Sequence, residues 1–76
     1  MSSYKYRLSK TIDCGTNAGF EYYGNIFNNR ADYIGGKYSI EVCQRDIETG
    51  KIYLMASTES NSLNCAKNFI TNYFNH

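Results

Sequence analysis

The chain has 76 residues, of which 42% are hydrophobic and 20% are charged, and its eight Lys and Arg residues against seven Asp and Glu residues leave a net charge of +1. This length allows one hydrophobic core, so we expect a single domain over residues 1–76, and the apolar content excludes a disordered chain. The near-neutral charge argues against non-specific coating of DNA, which needs a basic excess, and against an acidic mimic of DNA.

The first half of the chain predicts an antiparallel hairpin and a short helical turn. Hydrophobic residues occupy every second position from Tyr4 to Ile12, apart from Lys10, and the same parity resumes after Phe20. This is the pattern of half-buried strands. The intervening Asp, Asn and Gly residues predict a loop of moderate length. Residues 28–34 then predict about one helical turn, which the following pair of glycines would end.

The third and fourth strands predict a second hairpin. Side chains alternate between apolar and polar over residues 37–45, with Ile40 inward, and the parity of residues 52–57 places Leu54 on the same side. Between these strands, Gly50 stands where a turn that closes into a bulge requires positive φ. This is the clearest hairpin pattern in the sequence.

The C-terminal part predicts a helix over residues 61–73, because apolar residues recur there at steps of three and four. Ser60 or Asn61 would accept a hydrogen bond from the first free amides of that helix. We therefore predict an α+β fold, a four-stranded antiparallel sheet of two hairpins with the helix packed across one face, and with Ile70 and Leu54 between sheet and helix. The order of the strands is left open.

A single helix covers only one side of the sheet, so the residues of odd parity form a candidate binding surface. This surface combines large apolar side chains with basic ones, and its predicted binding residues are Lys5, Arg7, Tyr23, Phe27, Arg45, Lys51, Tyr53 and Met55. Rings beside Arg and Lys suit either a protein interface or the stacking of single-stranded nucleic acid. Alternatively, the rings only pair across strands, and a bend at Gly24 would turn Phe27 inward.

The residue types that carry chemistry are sparse. Cys14, Cys43 and Cys65 form no CxxC pair, and the one histidine is His76. We therefore expect reduced, free thiols, no metal site and no cofactor. Cys or Ser catalysis needs a nearby base, and four of the seven carboxylates fall in predicted turns, so we expect no enzyme. These four are Asp13, Asp32, Asp46 and Glu48. No export signal or apolar run of ~20 residues is visible, which favours a cytoplasmic protein.

The size and layout of one small domain with a sheet and a helix resemble those of the small proteins that phages make against host defences, including anti-CRISPR proteins. The nine Asn, the eight Tyr and the absence of Pro also suit an AT-rich genome of phage type. The resemblance implies a non-enzymatic protein that occludes a surface of a larger protein or nucleoprotein complex in the cytoplasm of a bacterial host. Two other hypotheses stay open at this point, a nucleic-acid-binding module that uses the uncovered sheet face and a homodimeric structural protein.

Overall fold

The computed structural model describes residues 5–74, with side chains from residue 7 onward, so the predictions for Tyr4, Tyr6 and His76 lie outside the described side chains. The elements follow in the order β1 (Lys5–Asn17), β2 (Phe20–Asn29), β3 (Tyr38–Asp46), β4 (Ile52–Ser60) and α1 (Leu63–Phe74). The strands form one antiparallel sheet in the order β1-β2-β3-β4, and α1 packs against one face. The predicted α+β fold is confirmed, and the strand order is that of a simple meander.

The turn between β1 and β2 is tighter than the predicted loop. Ala18 and Gly19 alone form it, with φ angles of 53° and 85°, because a two-residue turn that suits the twist of a hairpin needs positive φ at its centre. The polar residues 13–17 remain in β1, where Gly15 adopts a φ of 91° beside a bulge. The prediction of a loop of moderate length is therefore wrong, since pairing with β2 extends almost to the turn.

The connection from β2 to β3 contains no helix, so the helical turn predicted over residues 28–34 is wrong. Asn29 remains in β2, and its backbone N–H donates to the Lys37 carbonyl at 2.9 Å. A single backbone bond of 3.0 Å, from Tyr33 to Arg30, marks the turn that follows. Pairing of the asparagines across the sheet replaces the helix cap that their side chains suggested.

The turn between β3 and β4 follows the sequence prediction. Gly50 has a φ of 78°, and the Asp46 N–H donates to the Lys51 carbonyl at 2.8 Å. The Asp46 carboxylate accepts the N–H groups of Glu48 and Thr49 at 2.9 and 3.2 Å. The side chain therefore holds the turn locally, as aspartate commonly does.

The cap of α1 is Ser62, where Ser60 or Asn61 was predicted. The Ser62 hydroxyl accepts the N–H of Cys65 at 3.3 Å, and α1 begins at Leu63. The other two side chains are occupied elsewhere: Ser60 accepts the N–H of Ser62 at 3.1 Å, and Asn61 accepts an N–H from the connection before β3. The helix therefore begins directly after Ser62, because the Ser62 hydroxyl accepts a hydrogen bond from one of the first N–H groups of the helix, which have no partner within it.

The core lies between α1 and the middle of the sheet. Its buried residues are Ile26, Ile40, Val42, Ala66 and Ile70. Gly24 lies directly beneath Ile70, because a Cβ atom built on that glycine would be 2.5 Å from Ile70 Cδ1. The absence of a side chain at Gly24 thus allows α1 to approach β2 closely.

A bulge in β4 changes which of its side chains face the helix. Val42 pairs with Ala56, whereas the next residue, Cys43, pairs with Leu54, so Met55 is the extra residue. An extra residue reverses the alternation of all side chains on one side of it, because strand side chains alternate with a period of two. The alternation in the sequence therefore predicts the correct side of the sheet for Ala56 and the wrong side for Ile52 and Leu54, which precede the bulge.

The predicted position of Leu54 between sheet and helix is wrong for this reason. Ile52 and Leu54 face away from α1 and are 56% and 59% exposed. A register shift between Leu8 and Lys10 in β1 has the same effect, and Leu8 is 51% exposed where an inward position was predicted. Two aliphatic side chains of β4 and one of β1 therefore do not contribute to the core.

Candidate protein-binding face

The side of the sheet opposite α1, called the open face below, follows from the strand register, because residues paired across strands point to the same side. Its described members form four rows across the sheet: Leu8, Phe27, Ser39 and Glu59; Thr11, Asn25, Glu41 and Ser57; Asp13, Tyr23, Cys43 and Leu54; and Thr16, Glu21, Arg45 and Ile52. The face therefore mixes large apolar side chains with carboxylates.

The apolar part of the open face lies mainly along its two edges. Leu8 stands on β1, and Ile52 and Leu54 stand on β4, each more than half exposed. Tyr23 and Phe27, on β2, are half-buried. Exposed aliphatic groups and half-buried rings on one face make that face a candidate surface for binding a partner.

The charge of the open face is negative. Its acidic side chains are Asp13, Glu21, Glu41 and Glu59, and Arg45 is the one cation among the described side chains of the face. The whole chain has a net charge of +1, so the basic residues lie mostly elsewhere.

Arg45, the cation among the described side chains of the open face, is already paired. Arg45 Nε donates to Glu21 Oε1 at 2.8 Å, and a terminal guanidinium nitrogen contacts the same oxygen. The pair borders a shallow depression of about 430 Å³ whose lining also includes Asp13, Tyr23 and Ile52. Because the guanidinium is partly neutralised by Glu21, Arg45 adds little attraction for a phosphate.

Tyr23 and Cys43 are neighbours in one row at the centre of the open face. Burial raises the pKa of the Tyr23 phenol, and the adjacent Cys43 thiol raises it further. The Tyr23 phenol therefore keeps its proton at neutral pH, and its side chain is hydrogen-bonded to Cys43. Cys43 is 5% exposed although no helix covers this side of the sheet, so its flanking side chains shield the thiol from solvent.

The connection between β2 and β3 closes one end of the open face. The Tyr33 hydroxyl and the Gly36 N–H both donate to the Glu59 carboxylate, the latter at 3.0 Å. These donors favour the charged carboxylate and lower the pKa of Glu59. The contact fixes the connection to the end of β4.

Three of the predicted binding residues share the open face, namely Tyr23, Phe27 and Arg45. Phe27 pairs with Leu8 and Ser39, so the inward turn at Gly24 considered from the sequence does not occur. For Lys5 the backbone belongs to β1, and its side chain is outside the described part of the chain.

The open-face placement of Arg7, Lys51 and Tyr53 is wrong. Arg7 pairs with Asn28 on the α1 side of the sheet, and Tyr53 pairs with Gln44 on that same side. Lys51 precedes β4, with its Nζ 5.3 Å from the centroid of the Tyr53 ring. Met55 is the bulge residue itself. The bulge separates Tyr53 from Tyr23, the two rings that the sequence parity had brought together.

Sequence parity missed the exposed aliphatic residues Leu8, Ile52 and Leu54 as members of the open face. A signal was present for β4: the run Ile52–Ala56 contains no strongly polar residue, so alternation within it favours neither side of the sheet. In β1 the sequence carries no comparable signal, because Leu8 continues the alternation of its strand.

Residues 5–74 contain all three cysteines of the chain. Cys14, Cys43 and Cys65 form no disulfide, and burial together with the charge of Asp13 raises the pKa of Cys14. That part of the chain contains no cluster of three or more His, Cys, Asp or Glu side chains suited to a metal ion. Nor does it contain a helix with the length and apolarity to cross a membrane.

No family model matches the chain, and no curated protein or solved structure is significantly similar to it.

Proposed function

We propose that the chain is a non-enzymatic binding protein whose open face covers an apolar surface with basic surroundings on a larger protein. The observation that carries this proposal is the bulge at Met55, which turns Ile52 and Leu54 onto a face that α1 does not cover. Both are more than half exposed. Complete burial of a fully exposed Leu or Ile side chain contributes roughly 1.5 to 3 kcal/mol, so covering the exposed part of each of these two contributes about 1 to 2 kcal/mol.

The charges of the open face favour a protein partner over nucleic acid. Its carboxylates would lie against phosphates, and its one described cation, Arg45, is paired with Glu21. Two further basic residues of the predicted site, Arg7 and Lys51, do not join Arg45 on this face. Attraction to a polyanion needs unpaired basic groups that release counterions. We therefore expect no appreciable binding of single-stranded DNA or RNA at physiological salt.

The non-enzymatic part of the proposal rests on the residue types of the chain, whose one histidine is His76. A protein of this kind acts stoichiometrically, by occupying a surface that its target needs. Inhibition of a host defence complex, to which size and layout point, is one form of this function. In that case the target would present an apolar patch among Lys or Arg side chains.

The experiment is a comparison of two tyrosine variants that lie on opposite sides of the sheet. Tagged wild-type protein, Tyr23→Ala and Tyr53→Ala are used to capture proteins from the lysate of a candidate host, and bound proteins are identified by mass spectrometry. The affinity of a captured partner is then measured with purified components. We expect Tyr23→Ala to weaken binding by more than about tenfold and Tyr53→Ala to change it little.

Ile52→Ser is a second test of the same face, because Ile52 is 56% exposed and its loss leaves the core intact. Circular dichroism establishes that each variant is folded. A partner that binds folded Tyr23→Ala and Ile52→Ser as tightly as wild type would place the interaction elsewhere. Submicromolar binding of labelled single-stranded DNA at physiological salt, lost in Tyr23→Ala, would favour the nucleic-acid hypothesis instead.

A further inference from the structure

The two edges of the sheet differ in how they are protected against pairing with another strand. β1 is interrupted by three register shifts and carries several charged residues along its length. In β4 the only charged residue is Glu59, near its end, and the strand contains neither Lys nor Pro. Charged residues, prolines and bulges are the common means of preventing edge pairing. Of these, β4 has Glu59 near its end and one bulge, at Met55.

The exposed hydrophobic residues are concentrated on the same strand. Among residues 7–74, half of the large hydrophobic residues that stand exposed are the consecutive run Ile52–Met55. The run is exposed on both sides of the sheet, since Ile52 and Leu54 lie on the open face and Tyr53, 43% exposed, lies on the α1 side. A partner on the open face alone leaves Tyr53 uncovered. What the residues of the run have in common is that they all lie on β4, at the edge of the sheet.

We propose that β4 is the site at which a second copy of this chain adds to the sheet. The two β4 strands pair antiparallel about a two-fold axis and form one continuous eight-stranded sheet. Such an isologous contact requires a self-complementary strand. β4 meets this requirement because it is uncharged from Ile52 to Thr58, so two copies meet without like charges. The added β4 strand also carries apolar side chains on both sides of the sheet. These would cover Leu54 on the open face and Tyr53 on the α1 side, where both are exposed.

This inference does not depend on the proposed function, and its test needs no other protein. Sedimentation equilibrium of the purified chain, at protein concentrations from about 1 µM to about 1 mM, measures self-association over the range expected for a small interface. We expect a monomer–dimer equilibrium within this range and no larger species, because a two-fold contact closes on itself.

A pair of matched lysine variants locates the contact. Leu54→Lys places a charge on the β4 edge, and Leu8→Lys places the same charge on the β1 edge of the same face, at a residue of similar exposure. We expect Leu54→Lys to raise the dimer dissociation constant by more than about tenfold and Leu8→Lys to leave it unchanged. Equal loss in both variants would assign the contact to the open face, and loss in Leu8→Lys alone would assign it to β1. Either result overturns the proposal.

Amide hydrogen exchange of the wild-type chain provides a second measurement that does not rely on a variant's folding. Exchange is followed at a low and a high protein concentration within the sedimentation range. We expect the outward amides of Ile52–Ser60 to gain protection at high concentration while those of β1 do not. A chain that stays monomeric at about 1 mM, or a dimer without added protection in β4, overturns the proposal.

Discussion

The contact between Gly24 and Ile70 yields a sharp prediction for protein stability. A Cβ atom on residue 24 would lie 2.5 Å from Ile70 Cδ1 and Cγ2, whereas carbon atoms in good contact are about 3.5 to 4.0 Å apart. Gly24→Ala therefore overlaps the Ile70 side chain by about 1 Å, and neither β2 nor α1 can yield freely. We expect overpacking of this kind to destabilise the protein by about 1 to 3 kcal/mol.

Gly24→Ala should stabilise the protein, instead of destabilising it, when Ile70 is shortened to alanine. Ile70→Ala alone removes a fully buried side chain and should cost about 2 to 5 kcal/mol. In that variant, however, the atoms nearest to the new methyl group are gone, since all three belong to Ile70 beyond its Cβ. Gly24→Ala then fills part of the cavity and lowers the entropy of the unfolded chain. The double variant should be more stable than Ile70→Ala.

Urea denaturation followed by circular dichroism measures the free energy of unfolding of the four proteins. We expect a coupling energy of about 2 kcal/mol or more between the two sites, within the range for residues in direct contact. Asn25→Ala is the matched control, because residue 25 adjoins Gly24 in β2 but lies on the open face. Additive effects, within about 0.5 kcal/mol, would mean that α1 does not lie over Gly24.

Three further outcomes follow from single residues. Leu54→Ala should shift the free energy of unfolding by less than about 1 kcal/mol in urea denaturation, because Leu54 is 59% exposed; a loss of 2 kcal/mol or more would return it to the core. In thiol titration without reductant, Cys65, which is exposed, should react in the folded protein, and Cys43, which is buried, only after unfolding; fewer than three thiols in denaturant would indicate a disulfide. The hydrogen bonds that Glu59 accepts lower its pKa. Its contact with Tyr33 should therefore stabilise the connection between β2 and β3 fully at pH values above the ordinary glutamate pKa of about 4.3. This stabilisation should disappear as the pH falls through the lowered pKa of Glu59. NMR of that connection should show this transition in the wild type and not in Glu59→Gln, and a transition that persists in the variant would assign it to another group.

Much of the fold could be predicted from local patterns. Alternation indicated the strands, a change of period indicated α1, and Gly50 indicated the turn between β3 and β4. These features depend on residues that are close in sequence, where backbone preference and side-chain spacing act directly. The helical turn over residues 28–34 failed because pairing with a distant strand outweighed a local capping preference.

The candidate site was predicted less well, because its membership depends on register. Tyr23 and Arg45 were correctly placed on one face, since β2 and β3 pair without a shift. Tyr53 was wrongly placed with them, and Ile52 and Leu54 were wrongly placed in the core, because the position of a bulge depends on the partner strand. The negative charge of the open face was likewise hidden, because Arg7 and Lys51 do not lie on this face while Glu21 and Glu41 do.

By itself the sequence determined a small α+β domain with an uncovered sheet face, because composition, periodicity and turn residues are local properties. Only the tertiary structure decided which side chains that face presents and how closely the helix approaches the sheet. The bulge at Met55 exists only relative to β3, and the role of Gly24 exists only relative to Ile70. Both arise from contacts between residues far apart in the chain, which a pattern along one strand does not contain.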